Sequence, residues 1–277
     1  MTLTAILTAA AAAVTTGGLL RQGNLTPYAQ IQRLVLVPDK LVNTSPKQIG
    51  VPYDRNVIFT MGNSSVNVLG SWWIPSRETQ RKVILYCHPA RGNMGWYVDL
   101  ARFVYHHLPE CSLMMFDYTG FGDSDSDINP SIDTCHVSTK QAYDWLLCNK
   151  NVEARNVIVW GEGLGGMFAA RLCESEPPVG GLVLHEPTGA REAASKVANW
   201  WLWAFTGSFD DMDRVVESCR AAKTATLVLS TSLPSNTRLF ENTNDWLTLA
   251  GNRNHLLVND ERIVQRFKTL FCDNVAV

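Results

Sequence analysis

From residue 82 onward, short unbroken apolar runs alternate with longer stretches whose apolar residues recur every three or four positions. Unbroken runs of four to six residues suit strands buried on both faces, and the longer period suits helices that cover them. The runs at 83–87, 113–116, 156–160, 181–185, 225–230 and 246–250 are predicted strands. Helices are predicted over 96–107, 139–148, 164–172 and 260–271, the last with Ile263, Val264, Phe267, Leu270 and Phe271 as its apolar positions. Upstream, 33–37 and 56–61 read as early strands. The alternating stretch 66–74 ends at Pro75 and pairs back on 56–61 across a Gly62-Asn63 turn. The pattern predicts an α/β fold, a mostly parallel sheet with helices on both faces.

Composition narrows this picture. A chain of 277 residues with 46% hydrophobic and 18% charged residues fits one large α/β domain with a sizeable core. A net charge of -2 supplies no basic field, so nucleic acid is not an expected partner. The seven cysteines are odd in number and scattered, which points to reduced, buried thiols and a cytoplasmic setting. No cysteine or histidine spacing nominates a metal, and no cofactor motif is present. His106 and His107 are adjacent and so face different directions on a helix, which suits a helix end better than a metal pair.

Residues 1–25 form an Ala-rich segment ahead of a domain at 26–277. Residues 1–20 carry no charge, and three readings stay open for them: a soluble Ala-rich helix, a membrane anchor, or a signal peptide. Between 188 and 222 lies a helical insertion containing Trp200, Trp201, Trp203 and Phe205. It is expected either to pack on the sheet or to cap a hydrophobic pocket, with the three tryptophans as binding residues.

Three segments at predicted strand ends carry chemistry. They are Cys87-His88-Pro89-Ala90-Arg91-Gly92-Asn93, Asp117-Tyr118-Thr119-Gly120-Phe121-Gly122-Asp123-Ser124, and Gly161-Glu162-Gly163-Leu164-Gly165-Gly166. Together they resemble the α/β-hydrolase superfamily, most closely Bem-type serine esterases and depalmitoylase-like proteins. Those show H-G-N-A-G-N, D-Y-R-G-Y-G-x-S and G-x-S-L-G-G in this order. The resemblance covers residues 51–271 and implies an α/β-hydrolase fold with an eight-stranded type of sheet and a helical cap.

The resemblance also assigns positions. The nucleophile serine of G-x-S-x-G falls on Gly163, which has no side chain to attack a carbonyl. The base falls on His255. The usual acid position, residues 230–236, holds no carboxylate, so Glu186 is nominated instead, against a surface or lid contact as its other reading. The oxyanion donors fall on the Leu164 and Ala90 N–H groups, with Pro89 replacing the usual glycine. Glu162 is expected to turn away from the pocket, Ser124 to cap its neighbouring segment, and Cys87 to be a buried inert thiol.

Loss of a triad serine removes on the order of 10⁶ in turnover, and binding with the oxyanion donors alone leaves about 10³ to 10⁴ over water. The resemblance therefore implies a hydrolase-like protein that binds an apolar or acyl-bearing molecule, or a protein partner, without turnover. Two alternatives stand beside it: a serine esterase, lipase or thioesterase seen as an inactive Ser-to-Gly variant, and a scaffold associated with the membrane through residues 1–20.

Overall fold

A strand covered on both faces has no reason to alternate, and β4 (Lys82–Cys87) and β6 (Cys111–Phe116) are buried at every position. So is β8 (Gly181–His185), while β7 (Val157–Glu162) is buried at all but its last residue. The computed structural model describes residues 26–61, 66–80, 82–124, 129–175, 179–198, 202–208, 224–230, 246–248 and 261–273. Four further strands complete one eight-stranded sheet: β2 (Asp54–Met61), β3 (Val66–Ile74), β9 (Thr226–Ser230) and β10 (Trp246–Thr248). Its order is β10-β9-β8-β7-β4-β6-β3-β2. The pairs from β6 to β10 are parallel, and β3 runs antiparallel to both β2 and β6. A separate two-stranded parallel pair joins β1 (Val37–Pro38) to β5 (Arg91–Gly92).

Helices cover both faces. One face packs against α1 (Pro27–Val35), α3 (Ile132–Asn149), α4 (Gly165–Ser175) and α5 (Ala190–Val197), through Ile31, Tyr143, Phe168 and Ala194 among others. The other face packs against α2 (Val98–His107) and α6 (Glu261–Phe267), through Phe103, Val104, Ile263 and Phe267. This is the α/β-hydrolase architecture expected from the sequence, with a helical insertion after β8 formed by α5 and a short 3-10 turn, Trp203–Ser208.

Most predicted elements stand where the periodicity put them, and His106 and His107 do end a helix. One does not. The apolar run 33–37 predicts a strand, yet the chain is helical to Val35 and only Val37–Pro38 is extended. The Thr26 hydroxyl accepts the Ala29 N–H (3.3 Å), Pro27 opens the first turn, and Ile31 and Val35 face the core one helical turn apart. A five-residue apolar window does not separate a strand from the end of such a helix. Helix α3 also begins earlier than predicted. The Ser131 hydroxyl accepts the Thr134 N–H (3.0 Å) while Thr134 Oγ1 accepts the Ser131 N–H (2.8 Å), a reciprocal cap that adds two turns.

Among the described residues no helix is long and apolar enough to cross a membrane; residues 1–20 lie outside them. Cys87, Cys111, Cys135, Cys173 and Cys272 are buried, as expected, whereas Cys148 is exposed.

The tightest junction in the fold is where β7 meets α4. A Cβ on Gly165 would lie 2.1 Å from the Cys87 carbonyl oxygen, and one on Gly161 would lie 2.4 Å from that of Gly165. Backbone, unlike a flexible side chain, does not yield. Gly165→Ala is expected to destabilise the protein by about 3 kcal/mol, at the upper end of overpacking. Gly207→Ala, which meets nothing within 4 Å, should stay within about 0.5 kcal/mol. Urea unfolding of the two variants checks the contrast, and equal stabilities would contradict it.

Candidate functional site

Between the end of β7 and the start of α4 only Gly163 and Leu164 remain, so the chain reverses over two residues. Gly163 takes φ +55°, a left-handed conformation that glycine adopts without penalty. Its N–H donates to the His185 carbonyl (2.9 Å), and its own carbonyl accepts from Gly166 N–H (3.1 Å) and Thr188 N–H (3.0 Å). The turn is thus tied to the strand beside it and to the loop beyond. A Cβ built on Gly163 would meet only Pro89, at 3.4 Å. Space alone does not demand glycine here.

Pro89 belongs to the loop after β4. Strand pairing sets Cys87 opposite Gly161, and the close approach of Gly165 to the Cys87 and His88 carbonyls presses this loop against the turn. Val37 N–H donates to the Ala90 carbonyl (2.8 Å), holding the loop from the other side. Ala90 and Leu164, the two expected backbone donors, are therefore carried by segments in direct contact. Among the described residues neither N–H has a protein acceptor.

Beneath the turn lies a polar cluster that the sequence reading did not assemble. Glu162 pairs in register with His185 on the sheet face that also carries Tyr86 and Trp160. The Tyr86 hydroxyl donates to Glu162 Oε2 (2.7 Å), and His185 Nδ1 stands 3.4 Å from the same oxygen. Burial opposes ionisation of Glu162, but His185, the Tyr86 hydroxyl and His88 together outweigh it and hold the carboxyl below its usual value. Burial, with Glu162 adding to it, pushes the Tyr86 hydroxyl far up, so it remains a donor. His185 is buried, and its Nε2 has no hydrogen-bond partner among the described residues. The signal was available in principle: an acid, a tyrosine and a histidine at the ends of three adjacent strands. Reading it required the strand order.

A second imidazole–carboxylate pair supports the loop. His88 and Asp117 are both fully buried, with His88 Nε2 3.5 Å from Asp117 Oδ1. The Pro89 carbonyl can only accept, so His88 Nδ1 carries the proton of that 2.7 Å bond. Asp117 accepts from Met94 N–H (2.7 Å) and Asp123 N–H (3.1 Å), and the Tyr118 hydroxyl donates to the His88 carbonyl (2.8 Å). Burial drives Asp117 up from 3.8 to about 7 in spite of its two backbone donors. Burial drives His88 down from 6.5 to about 4 in spite of the Pro89 carbonyl.

The remaining expected residues divide. Glu186 follows β8 with φ +44°. Its N–H donates to the Leu229 carbonyl (2.8 Å), and its Oε2 accepts from the Ser230 hydroxyl (3.3 Å). Trp203 opens the 3-10 turn after α5. His255, Trp200 and Trp201 lie outside the described residues. The Ser124 hydroxyl accepts the Gly70 N–H (3.0 Å) and donates to the Asp117 carbonyl (2.5 Å), closing the 117–124 loop and bridging it to β3. The tie across the sheet is available because Gly70 lies directly against Asp123. Cys87 is fully buried, and desolvation raises its thiol well above the usual range, leaving it inert as expected.

Comparison with known proteins follows this geometry. The family described as serine aminopeptidase, S33, matches residues 78–258. An uncharacterized protein of Mycobacterium tuberculosis is 26% identical over 176 residues, covering 63% of this chain and 60% of its own length. Lysophosphatidylserine lipase ABHD12 of Xenopus tropicalis is 31% identical over 153 residues, covering 50% of this chain and 36% of the lipase. The chain thus spans only part of the curated relatives it matches. Among solved structures, the Pyrococcus furiosus esterase Pf2001 superposes with a TM-score of 0.65 at 17% identity, over 86% of this chain and 98% of the esterase. An alpha-beta hydrolase from Vibrio vulnificus gives 0.59 at 16% identity, over 91% and 92% of the two chains. At these identities the structures speak for the fold.

The His88–Asp117 pair yields a pH prediction. As pH falls, the folded protein protonates Asp117 near 7 and His88 near 4, whereas ordinary values are 6.5 for the histidine and 3.8 for the aspartate. The raised carboxyl favours the folded state as pH falls below about 7, and the depressed imidazole disfavours it below about 6.5, so the two nearly cancel. Asp117→Asn leaves only the imidazole contribution. Relative to the parent, this variant should lose on the order of 3 kcal/mol between about pH 6.5 and about pH 4. Urea unfolding across that range measures it; parallel stability profiles for the two proteins would refute the assignment.

Proposed function

The chain belongs to the serine aminopeptidase S33 family of α/β-hydrolases, and from that membership we propose that it binds an acyl-bearing, apolar ligand at the carboxyl ends of its strands without hydrolysing it. One observation carries this reading: Gly163 occupies the strand-to-helix turn at φ +55°, where this fold presents its nucleophile, and offers no attacking atom. What the turn retains is its backbone. The Leu164 and Ala90 N–H groups lie on adjoining segments with no acceptor among the described residues, and they serve as donors to a ligand carbonyl. In this reading Trp200, Trp201 and Trp203 supply an apolar wall, Glu186 and His255 are remnants of the acid and base positions, and the ligand class is a single-chain acyl lipid. A relative named as a lysophosphatidylserine lipase supports that class.

A second reading rests on its own observation. A Cβ at 163 would lie 3.4 Å from its nearest neighbour, Pro89, so the turn has room for serine and the chain is then an esterase whose nucleophile has been replaced by glycine. The two readings separate cleanly.

Under the first, the 277-residue chain binds a fluorescent lysophospholipid saturably and returns it intact, and a fluorophosphonate probe labels no serine. Release of fatty acid above the buffer rate, labelling of a pocket serine, or no saturable binding overturns it; in the last case a protein partner or a membrane-tethered scaffold becomes the better account. Gly163→Ser is expected to fold with a loss of about 1–2 kcal/mol, the strain of a left-handed non-glycine residue, and to remain without esterase activity. Ester hydrolysis by Gly163→Ser that disappears on adding His255→Ala would establish the second reading.

A further inference from the structure

The amino-terminal end of β6 lies at the opposite edge of the sheet from Gly163, and there the fold gathers side chains that the sequence keeps far apart. Glu110 immediately precedes the strand and Cys111 opens it, and Cys272 closes a π-helical turn, Lys268–Cys272, that continues α6. All three are buried, at 8%, 2% and 3% exposure. One carboxylate oxygen and the two sulfurs lie within 4.8 Å of one another. Beside them opens a pocket of 580 Å³ lined by Glu78, Thr79, Glu110, Lys268, Cys272 and Asp273. A cation can reach the cluster past two further carboxylates, Glu78 and Asp273.

We propose that Glu110, Cys111 and Cys272 form a binding site for a thiophilic divalent cation of the zinc class, which staples the carboxyl-terminal helix to the edge of β6. The donor set decides the ion. Two thiolates with one carboxylate suit zinc, whose bonds to sulfur and oxygen of about 2.3 and 2.0–2.2 Å ask the three donors to close by roughly an ångström. Calcium and magnesium prefer an all-oxygen shell and would leave the sulfurs unused. Three protein donors leave a fourth position, which faces the pocket and takes water or the Asp273 carboxylate.

The charges are compatible with such an ion. Two thiolates and a carboxylate more than neutralise a dication, and the excess is offset by Lys268, whose Nζ lies 3.7 Å from Glu110 Oε1. The incoming ion displaces the two thiol protons, as a thiolate-binding cation does. Binding therefore forms two metal–sulfur bonds and one metal–oxygen bond, and releases the thiol protons to solvent without any change of oxidation state. Nothing in this site touches the Gly163 turn, so the inference stands apart from the proposed function.

Cobalt(II) titration of the reduced, untagged chain tests it. The expected result is one equivalent bound with sulfur-to-cobalt charge-transfer absorption, displaced by zinc, with protons released and the thermal midpoint raised. Cys272→Ser, a near-isosteric change, should abolish the charge-transfer band and weaken binding more than about a hundredfold, beyond what loss of an outer-shell partner does. Glu110→Gln should retain the band but bind more weakly. No band in the parent, or a band unchanged in Cys272→Ser, overturns the proposal. So does mass spectrometry that finds Cys111 and Cys272 joined as a disulfide in the chain as purified.

Discussion

Backbone packed directly on backbone, at the crossing of β7, α4 and the loop after β4, sets the geometry of everything around it. Gly161 and Gly165 let the turn lie against the Cys87 and His88 carbonyls, at distances where any Cβ would collide. Because that contact is fixed, only two residues separate the end of β7 from the start of α4, which lays Met167, Phe168 and Leu172 into the core. Because the same contact brings the 88–90 loop over the turn, Ala90 and Leu164 come to neighbouring places. The arrangement that makes a site and the arrangement that packs the sheet are one constraint.

Burying polar groups beneath such a turn is costly unless they find partners, and the chain meets that cost with two imidazole–carboxylate pairs. Glu162 with His185 and Tyr86 lies under Gly163 on one sheet face. His88 with Asp117 anchors the loop, aided by Tyr118, Ser124 and a Lys40 ammonium that donates to the Gly120 carbonyl. Neither pair makes a full imidazole–carboxylate hydrogen bond. Their contribution is to hold three strand ends and two loops in place, which leaves the backbone donors preorganised for a ligand. The contacts of the turn at 163 are made by its backbone, so its shape does not depend on a side chain there.

The amino-acid pattern made the fold legible from residue 82 onward because strands buried on both faces must be continuous in apolar residues. Local caps and i, i+4 spacing marked the helices, except where 33–37 presented the same apolar run to either reading and the Thr26 cap, outside that window, decided for a helix. Gly163 was legible for the same reason: the glycine frame around it is a local steric requirement. The Glu162–His185–Tyr86 cluster and the Glu110–Cys111–Cys272 cluster were not, since each draws on elements whose adjacency depends on strand order.

The sequence alone determined most of the elements, that the turn after β7 carries glycine at 163, and that no acid stands at residues 230–236. Each of these is a property of a few consecutive residues, fixed by covalent structure and short-range sterics. Only the tertiary structure decided that the loop carrying Ala90 lies against the turn carrying Leu164, that Ser124 ties its own segment to Gly70, and that Cys272 returns to Cys111. Such meetings are set by sheet register and by the closing of long loops, where distance in space is independent of distance along the chain.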